Sequence, residues 1–175
     1  KKVKKEGLVI AFEPQDHLNS ILKKNLRINK IDQCVVENRL ISDKTGEVTF
    51  YQSPDFGHSS ISSAVQEEIN LIRTEKESVT LDDYVNNNIG KLNLIKIDAE
   101  GAEYSIISQN STYTIETYHP KFLIEIHKKQ IEKLGGSVTM VIDRLKKAGY
   151  KVFQIDNATG KLLSSIDTSK INWHL

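Results

Sequence analysis

The chain has 175 residues, and 24 Lys and Arg against 23 Asp and Glu leave a formal net charge of +1 with histidines neutral. That balance excludes an acidic tail protein and supplies no electrostatic case for binding nucleic acid. With 38% hydrophobic and 27% charged residues the chain can bury one sizeable core, and a length within roughly 100 to 200 residues predicts a single domain over residues 1–175.

The lone cysteine, Cys34, excludes an internal disulfide and any CxxC metal or redox site, which fits a reducing, cytoplasmic setting. A basic start, Lys1 to Lys5, precedes the apolar run Leu8 to Phe12, but Glu13-Pro14 ends that run too soon for a signal-peptide core or a membrane span. Neither secretion by such a signal nor membrane insertion is expected.

Leu8 to Phe12 predicts a strand covered on both faces in a parallel sheet. Pro14 stops it, Asp16 can cap a helix, and Leu18, Ile21, Leu22 and Leu26 recur at helical spacing to about Lys30. Cys34 to Val36 opens a second strand, Asp43 to Gly46 is a turn cluster, and Val48 to Tyr51 alternates like an edge strand, so a hairpin is expected there. Gln52 to Ser63 reads as a long surface loop. A short helix is expected over Ala64 to Arg73, an extended stretch over Ser78 to Thr80, and a brief helix from Asp82-Asp83 to about Asn87. Asn93 to Asp98 and Phe122 to His127 are two further buried strands, and Ala99 to Ala102 leads from the first of them into a helix. Ser137 to Ala148 is an amphipathic helix with Val138, Val141, Ile142 and Leu145 on one stripe and Gly149 as its stop. Val152 to Ile155 and Leu162 to Ile166 form a closing antiparallel hairpin, and Trp173 is expected to dock the tail on the core. Strands alternating with helices predict a doubly wound α/β plan, in which ligands sit beyond the carboxyl ends of the strands.

The residues at those ends are mostly acidic. Glu13 can accept hydrogen bonds from two vicinal ribose hydroxyls, or can simply serve the start of the following helix. Asp98, Glu100 and Glu103 crowd one strand-to-helix turn; a capping role accounts for one or two of them, while crowded carboxylates beside Gly101 also suit a base or a cation. Lys96 and Asp98, like Glu125 and His127, lie two residues apart and so point to one side of the sheet. A Lys96–Glu125 ion pair across neighbouring strands is the expected way to satisfy two charges there. His127 can be a general base, a metal ligand, a substrate hydrogen bonder or a structural residue. His17, His58, His119 and His174 have no metal-ligand spacing and read as surface or loop residues. No Walker loop, GxSxG elbow or HExxH is present.

Ala11-Phe12-Glu13-Pro14, the helix end Asn25 to Asn29, Ser42 to Gly46, Thr80-Leu81-Asp82-Asp83-Tyr84 and above all Ile95-Lys96-Ile97-Asp98-Ala99-Glu100-Gly101-Ala102-Glu103 together resemble the FkbM family of S-adenosylmethionine-dependent methyltransferases, in order and spacing, to about His127. The resemblance implies a Rossmann-like class I methyltransferase fold, a doubly wound, mostly parallel sheet with a C-terminal antiparallel hairpin. It further implies S-adenosylmethionine as cofactor and methyl transfer to a hydroxyl of a sugar, glycan or other small metabolite, while the charge balance and the short apolar run leave neither nucleic acid nor membrane as an expected partner. By position, Glu13 would hold the cofactor ribose, Arg39 and Leu40 would lie near the adenine and Asp98 would face the methionine end. Glu100, Glu125 and His127 would line the acceptor side, with Asp98, Glu125 or His127 as base and no metal ligand assigned.

The family pattern begins with a strand and glycine-rich loop, and only Lys1 to Gly7 precede the first strand here, so the fold is expected to be truncated at its N-terminus. The strands Leu8 to Phe12 and Asn93 to Asp98 would then keep unpaired edges unless they close on each other. Two other readings are a non-catalytic binding module that keeps the fold, and a metal-dependent hydrolase using Asp98, Glu100, Glu125 and His127 as ligands.

Overall fold

A computed structural model describes residues 3, 6–52, 72–108, 110–156, 158–166 and 168. The expected loop after Gln52, most of the expected Ala64 to Arg73 helix, His58, Trp173 and His174 lie outside the described residues; Ile72 and Arg73, at the end of that expected helix, belong to a strand.

Strand β1 (Val9–Phe12) pairs in parallel with β2 (Cys34–Glu37), in a register running from Val9 opposite Cys34 to Phe12 opposite Glu37. Helix α1 (Asp16–Ile28) connects them. Gln15 and not Asp16 is the N-cap of α1, and its side chain makes no capping bond. Asp16 instead meets Lys76 and Asn38, and those two partners, Asn38 first, hold its carboxyl below the usual carboxylate range.

The hairpin expected across Asp43 to Gly46 is a different structure. β3 (Leu40–Ile41) and β4 (Gly46–Gln52) are not neighbours, because β5 (Ile72–Val79) lies between them, parallel to β3 and antiparallel to β4. Helix α2 (Leu81–Asn88) starts at Thr80, whose hydroxyl accepts from the Asp83 N–H at 3.1 Å. β6 (Leu94–Ile97) pairs in parallel with β7 (Lys121–Ile124). Between them run α3 (Glu103–Ser108) and α4 (Thr112–Tyr118), the latter capped by the Asp82 carboxylate of α2 through the N–H groups of Tyr113 and Thr114.

After β7 come α5 (Lys128–Lys133) and α6 (Val138–Lys147). The Ser137 hydroxyl caps α6 by accepting from the Met140 N–H, and Gly149 follows its end at φ +86°. β8 (Gln154–Ile155) and β9 (Leu162–Leu163) form the closing antiparallel pair, shorter than expected.

The protein is thus a mixed α/β structure with parallel strand pairs, but the single doubly wound sheet is not observed. The described strands form four separate sheets of two, three, two and two strands. β1 and β6 do not close on each other, and each has one hydrogen-bonded neighbour among the described strands. Strands at a sheet edge keep a flank in water, which accounts for Val9 being 40% exposed and Leu94 59% exposed where burial on both faces is expected from sequence. The core lies between α2, α3 and α6 and the end of β6, where Leu81, Val85, Ile97, Ala102, Ile106, Ile107, Val141 and Leu145 share one buried cluster. Each large aliphatic side chain buried there contributes about 1.5–3 kcal/mol. Among the described residues no helix is long and apolar enough to cross a membrane.

Candidate functional site

The carboxyl ends of β6 and β7 carry the acidic group. The Glu125 N–H donates to the Ile97 carbonyl at 2.9 Å, which carries the parallel ladder one residue past Ile124 and sets Glu125 beside Asp98. The chain then turns sharply after Asp98. The Ala102 N–H donates to the Ala99 carbonyl, Glu100 takes a left-handed backbone at φ +46°, and Gly101 lies at φ +105°. A non-glycine residue in that region stores about 1–3 kcal/mol of strain, a cost that recurs at functional turns. Gly101 is required for a second reason: a Cβ there would stand 2.5 Å from the Gln130 Cβ of α5.

Glu103 organises this turn. Its side chain has no exposure to solvent, and Oε1 accepts from the N–H groups of Ala99 and Gly101 at 3.2 Å each and meets His127 Nδ1 at 2.7 Å. Its second oxygen, Oε2, has no hydrogen-bond partner. The bond from Glu103 raises the pKa of His127 against the opposing effect of burial, and the nearby Glu103, Glu100 and Asp98 charges add to the rise. His127 Nε2 lies 3.5 Å from Glu100 Oε1. Nδ1 is therefore the donor nitrogen toward Glu103, and Nε2 is the nitrogen offered outward.

Asp98, Glu125 and His127 each bring one ligand atom within 4.8 Å of the others. With Glu100, the four residues expected on the acceptor side and at the methionine end are thus brought together. Lys96, expected to pair with Glu125, binds Asp98 Oδ2 at 2.7 Å instead, because residues i and i+2 on one strand share a face and the partner two positions away is nearer.

The residues expected on the cofactor side lie on the other parallel pair. Glu13 follows β1, its N–H donates to the Glu37 carbonyl, and its Oε1 accepts from the Gln15 N–H at 2.9 Å at the start of α1. Arg39 is committed to protein partners: it binds Glu37 at 3.1 Å and Glu77 at 3.5 Å, and lies 5.3 Å over the Tyr84 ring. Leu40 begins β3, half-buried, opposite Ser78.

Helix α2 ties the two pairs together. The Tyr84 hydroxyl donates to Glu37 Oε1 at 2.9 Å, and its ring packs edge-on against Phe12 with centroids 4.8 Å apart. Burial and the bond to Glu37 push the Tyr84 pKa up to about 12. On the same helix, Leu81 and Val85 share the buried cluster with Ile97. Glu13 and Asp98 therefore each follow the last residue of a strand attached to α2. Two residues do more than the sequence reading assigns them. Tyr84 carries no signal beyond its place in a Thr-Leu-Asp-Asp-Tyr run, and Glu103, one of three crowded carboxylates in the sequence, gives no sign there of its full burial or of its bond to His127.

The family model described as Methyltransferase FkbM domain matches residues 1–152. No curated protein and no solved structure matches the chain.

Proposed function

The chain belongs to the methyltransferase FkbM family and is an S-adenosylmethionine-dependent methyltransferase, and from that premise we propose that it is an O-methyltransferase with a Rossmann-like domain, acting on a hydroxyl of a sugar or other small metabolite. The observation that carries this reading is the attachment of β1 and β6, with Glu13 and Asp98 at their ends, to the one helix α2. The donor set also fits the cofactor. Glu13 spends Oε1 on the Gln15 N–H, and a carboxylate has a second oxygen with which to accept from a ribose hydroxyl.

In this reading Glu13 holds the ribose, Arg39 and Leu40 border the adenine, and Asp98 meets the methionine end. S-adenosylmethionine, when bound, supplies a methyl carbon on a positively charged sulfur, and a rim of carboxylates suits that charge. Glu100, Glu125 and His127 line the acceptor side. Because Nδ1 of His127 is held by Glu103, the neutral ring has Nε2 available to take the proton of an acceptor hydroxyl, and Glu103 stabilises the imidazolium that results. Such a base contributes roughly 10²- to 10⁴-fold, and orientation of the two reactants up to about 7–11 kcal/mol.

The test is isothermal titration of the full chain with S-adenosylhomocysteine. Loss of one hydrogen bond to a charged group is worth about 1.5–3 kcal/mol, so Glu13→Gln and Asp98→Asn should each weaken binding by about one to two orders of magnitude. Absence of binding, or variants that bind like the wild type, would refute the assignment.

A further inference from the structure

The ligand atoms of Asp98, Glu125 and His127, all within 4.8 Å of one another, match the span of a divalent coordination shell. Metal–ligand bonds of about 2.0–2.6 Å place neighbouring ligand atoms about 3–3.7 Å apart and opposite ones about 4–5 Å apart. We propose that these three side chains form a binding site for a divalent cation, with Glu103 orienting the imidazole from behind.

An independent sign of a ligand comes from Glu103. Its side chain is fully buried, it lies against His127, and its Oε2 has no hydrogen-bond partner. A buried carboxylate oxygen left unpaired is costly, and a positive charge on the far side of the imidazole offsets that cost. The arrangement is also the one that metal-bound histidines adopt: one ring nitrogen donates to a carboxylate, which fixes the ring and leaves the other nitrogen as a lone-pair donor.

Charge points the same way. Asp98, Glu100, Glu103 and Glu125 gather around His127, and Lys96 pairs with Asp98. Two carboxylates and one imidazole suit a hard-to-borderline ion, for which Mn²⁺ is the practical probe. The use of the site rests on the methyltransferase reading. With a cation on Nε2 the base role given above to His127 would pass to Glu100, whose Oε1 lies 3.5 Å from that nitrogen, and a hydroxyl at an open coordination position would lose its proton there. The oxygen's electron pair then forms the new bond to carbon while the carbon–sulfur pair leaves with sulfur.

The test is titration of the metal-stripped full chain with Mn²⁺, free ion being followed by electron paramagnetic resonance, with circular dichroism confirming that each variant is folded. One saturable site is expected. Glu125→Gln, a half-buried substitution, and His127→Ala should each weaken it by at least about tenfold, and Glu103→Gln, which keeps the packing, by about 10- to 100-fold. Lys96→Met should tighten it, because the ammonium competes for Asp98. No saturable binding up to about 1 mM by folded wild type, or binding indifferent to Glu125→Gln and His127→Ala, would overturn the inference. S-adenosylhomocysteine titrated into the same metal-stripped samples separates the two ideas. Cofactor binding without a Mn²⁺ site removes the cation and keeps the methyltransferase assignment, and a Mn²⁺ site without cofactor binding does the reverse.

Discussion

Replacing Gly101 by alanine tests the turn that carries the acidic group. Gly101 has φ +105°, and a Cβ there would lie 2.5 Å from Gln130 Cβ and 3.1 Å from the Gln130 carbonyl carbon. Carbon atoms rest about 3.5–4.0 Å apart, so α5 would have to withdraw by about 1 Å or the turn would have to open. The backbone conformation costs an alanine about 1–3 kcal/mol, and forced overpacking against a helix adds about 1–3 kcal/mol. The expected loss is about 2–6 kcal/mol, a large share of the roughly 5–15 kcal/mol that holds a typical domain together. Urea unfolding followed by far-UV circular dichroism measures it. A loss below about 1 kcal/mol would mean that α5 does not pack on this turn as described.

Three other outcomes rest on named contacts. Asp82→Ala removes the cap of α4 and should cost about 0.5–2 kcal/mol in the same unfolding assay, with no change in S-adenosylhomocysteine affinity, since Asp82 is spent on Tyr113 and Thr114. In metal-stripped protein, NMR titration should show His127 protonating above its ordinary 6.5, and Glu103→Gln should bring that pKa down. Since the folded state holds this proton more tightly than the unfolded chain, the stabilisation is complete below about pH 6.5 and is lost as pH rises through the folded pKa of His127; a stability curve flat across that window would contradict the contact. Tyr84→Phe deletes the hydroxyl bonded to Glu37 and should cost about 0.5–3 kcal/mol, read by the same unfolding assay.

Much of the fold is legible where local pattern and tertiary demand agree. The spacing of Leu18, Ile21, Leu22 and Leu26 gives α1, the apolar runs give the positions of β1 and β6, and Ser137 and Gly149 bracket α6 as their chemistry requires. The reading fails where distant residues decide. β5, with the run Arg73 to Ser78, has no apolar alternation, and only its pairing with β4 and β3 makes it a strand. Six of the seven residues of α4 are Thr, Tyr or Ile, which favour strands in isolation, and it is helical with Asp82 from another helix capping it. The apolar sequences of β1 and β6 suggest full cover, whereas exposure depends on neighbours that a run of four residues does not name. In the site, the gathering of Asp98, Glu100, Glu125 and His127 follows from their places at strand ends. The partner of Lys96 and the burial of Glu103 do not, because both depend on side-chain geometry within the turn.

The central claim is that carboxylates at the ends of β1 and β6 bind one ligand between them. Amide chemical-shift mapping during a titration with S-adenosylhomocysteine tests it most directly. The account predicts that the largest shifts cluster at Glu13 and over Asp98 to Gly101, with smaller ones on α2. Shifts confined to one of the two strand ends, or saturable binding that leaves both unmoved, would contradict it.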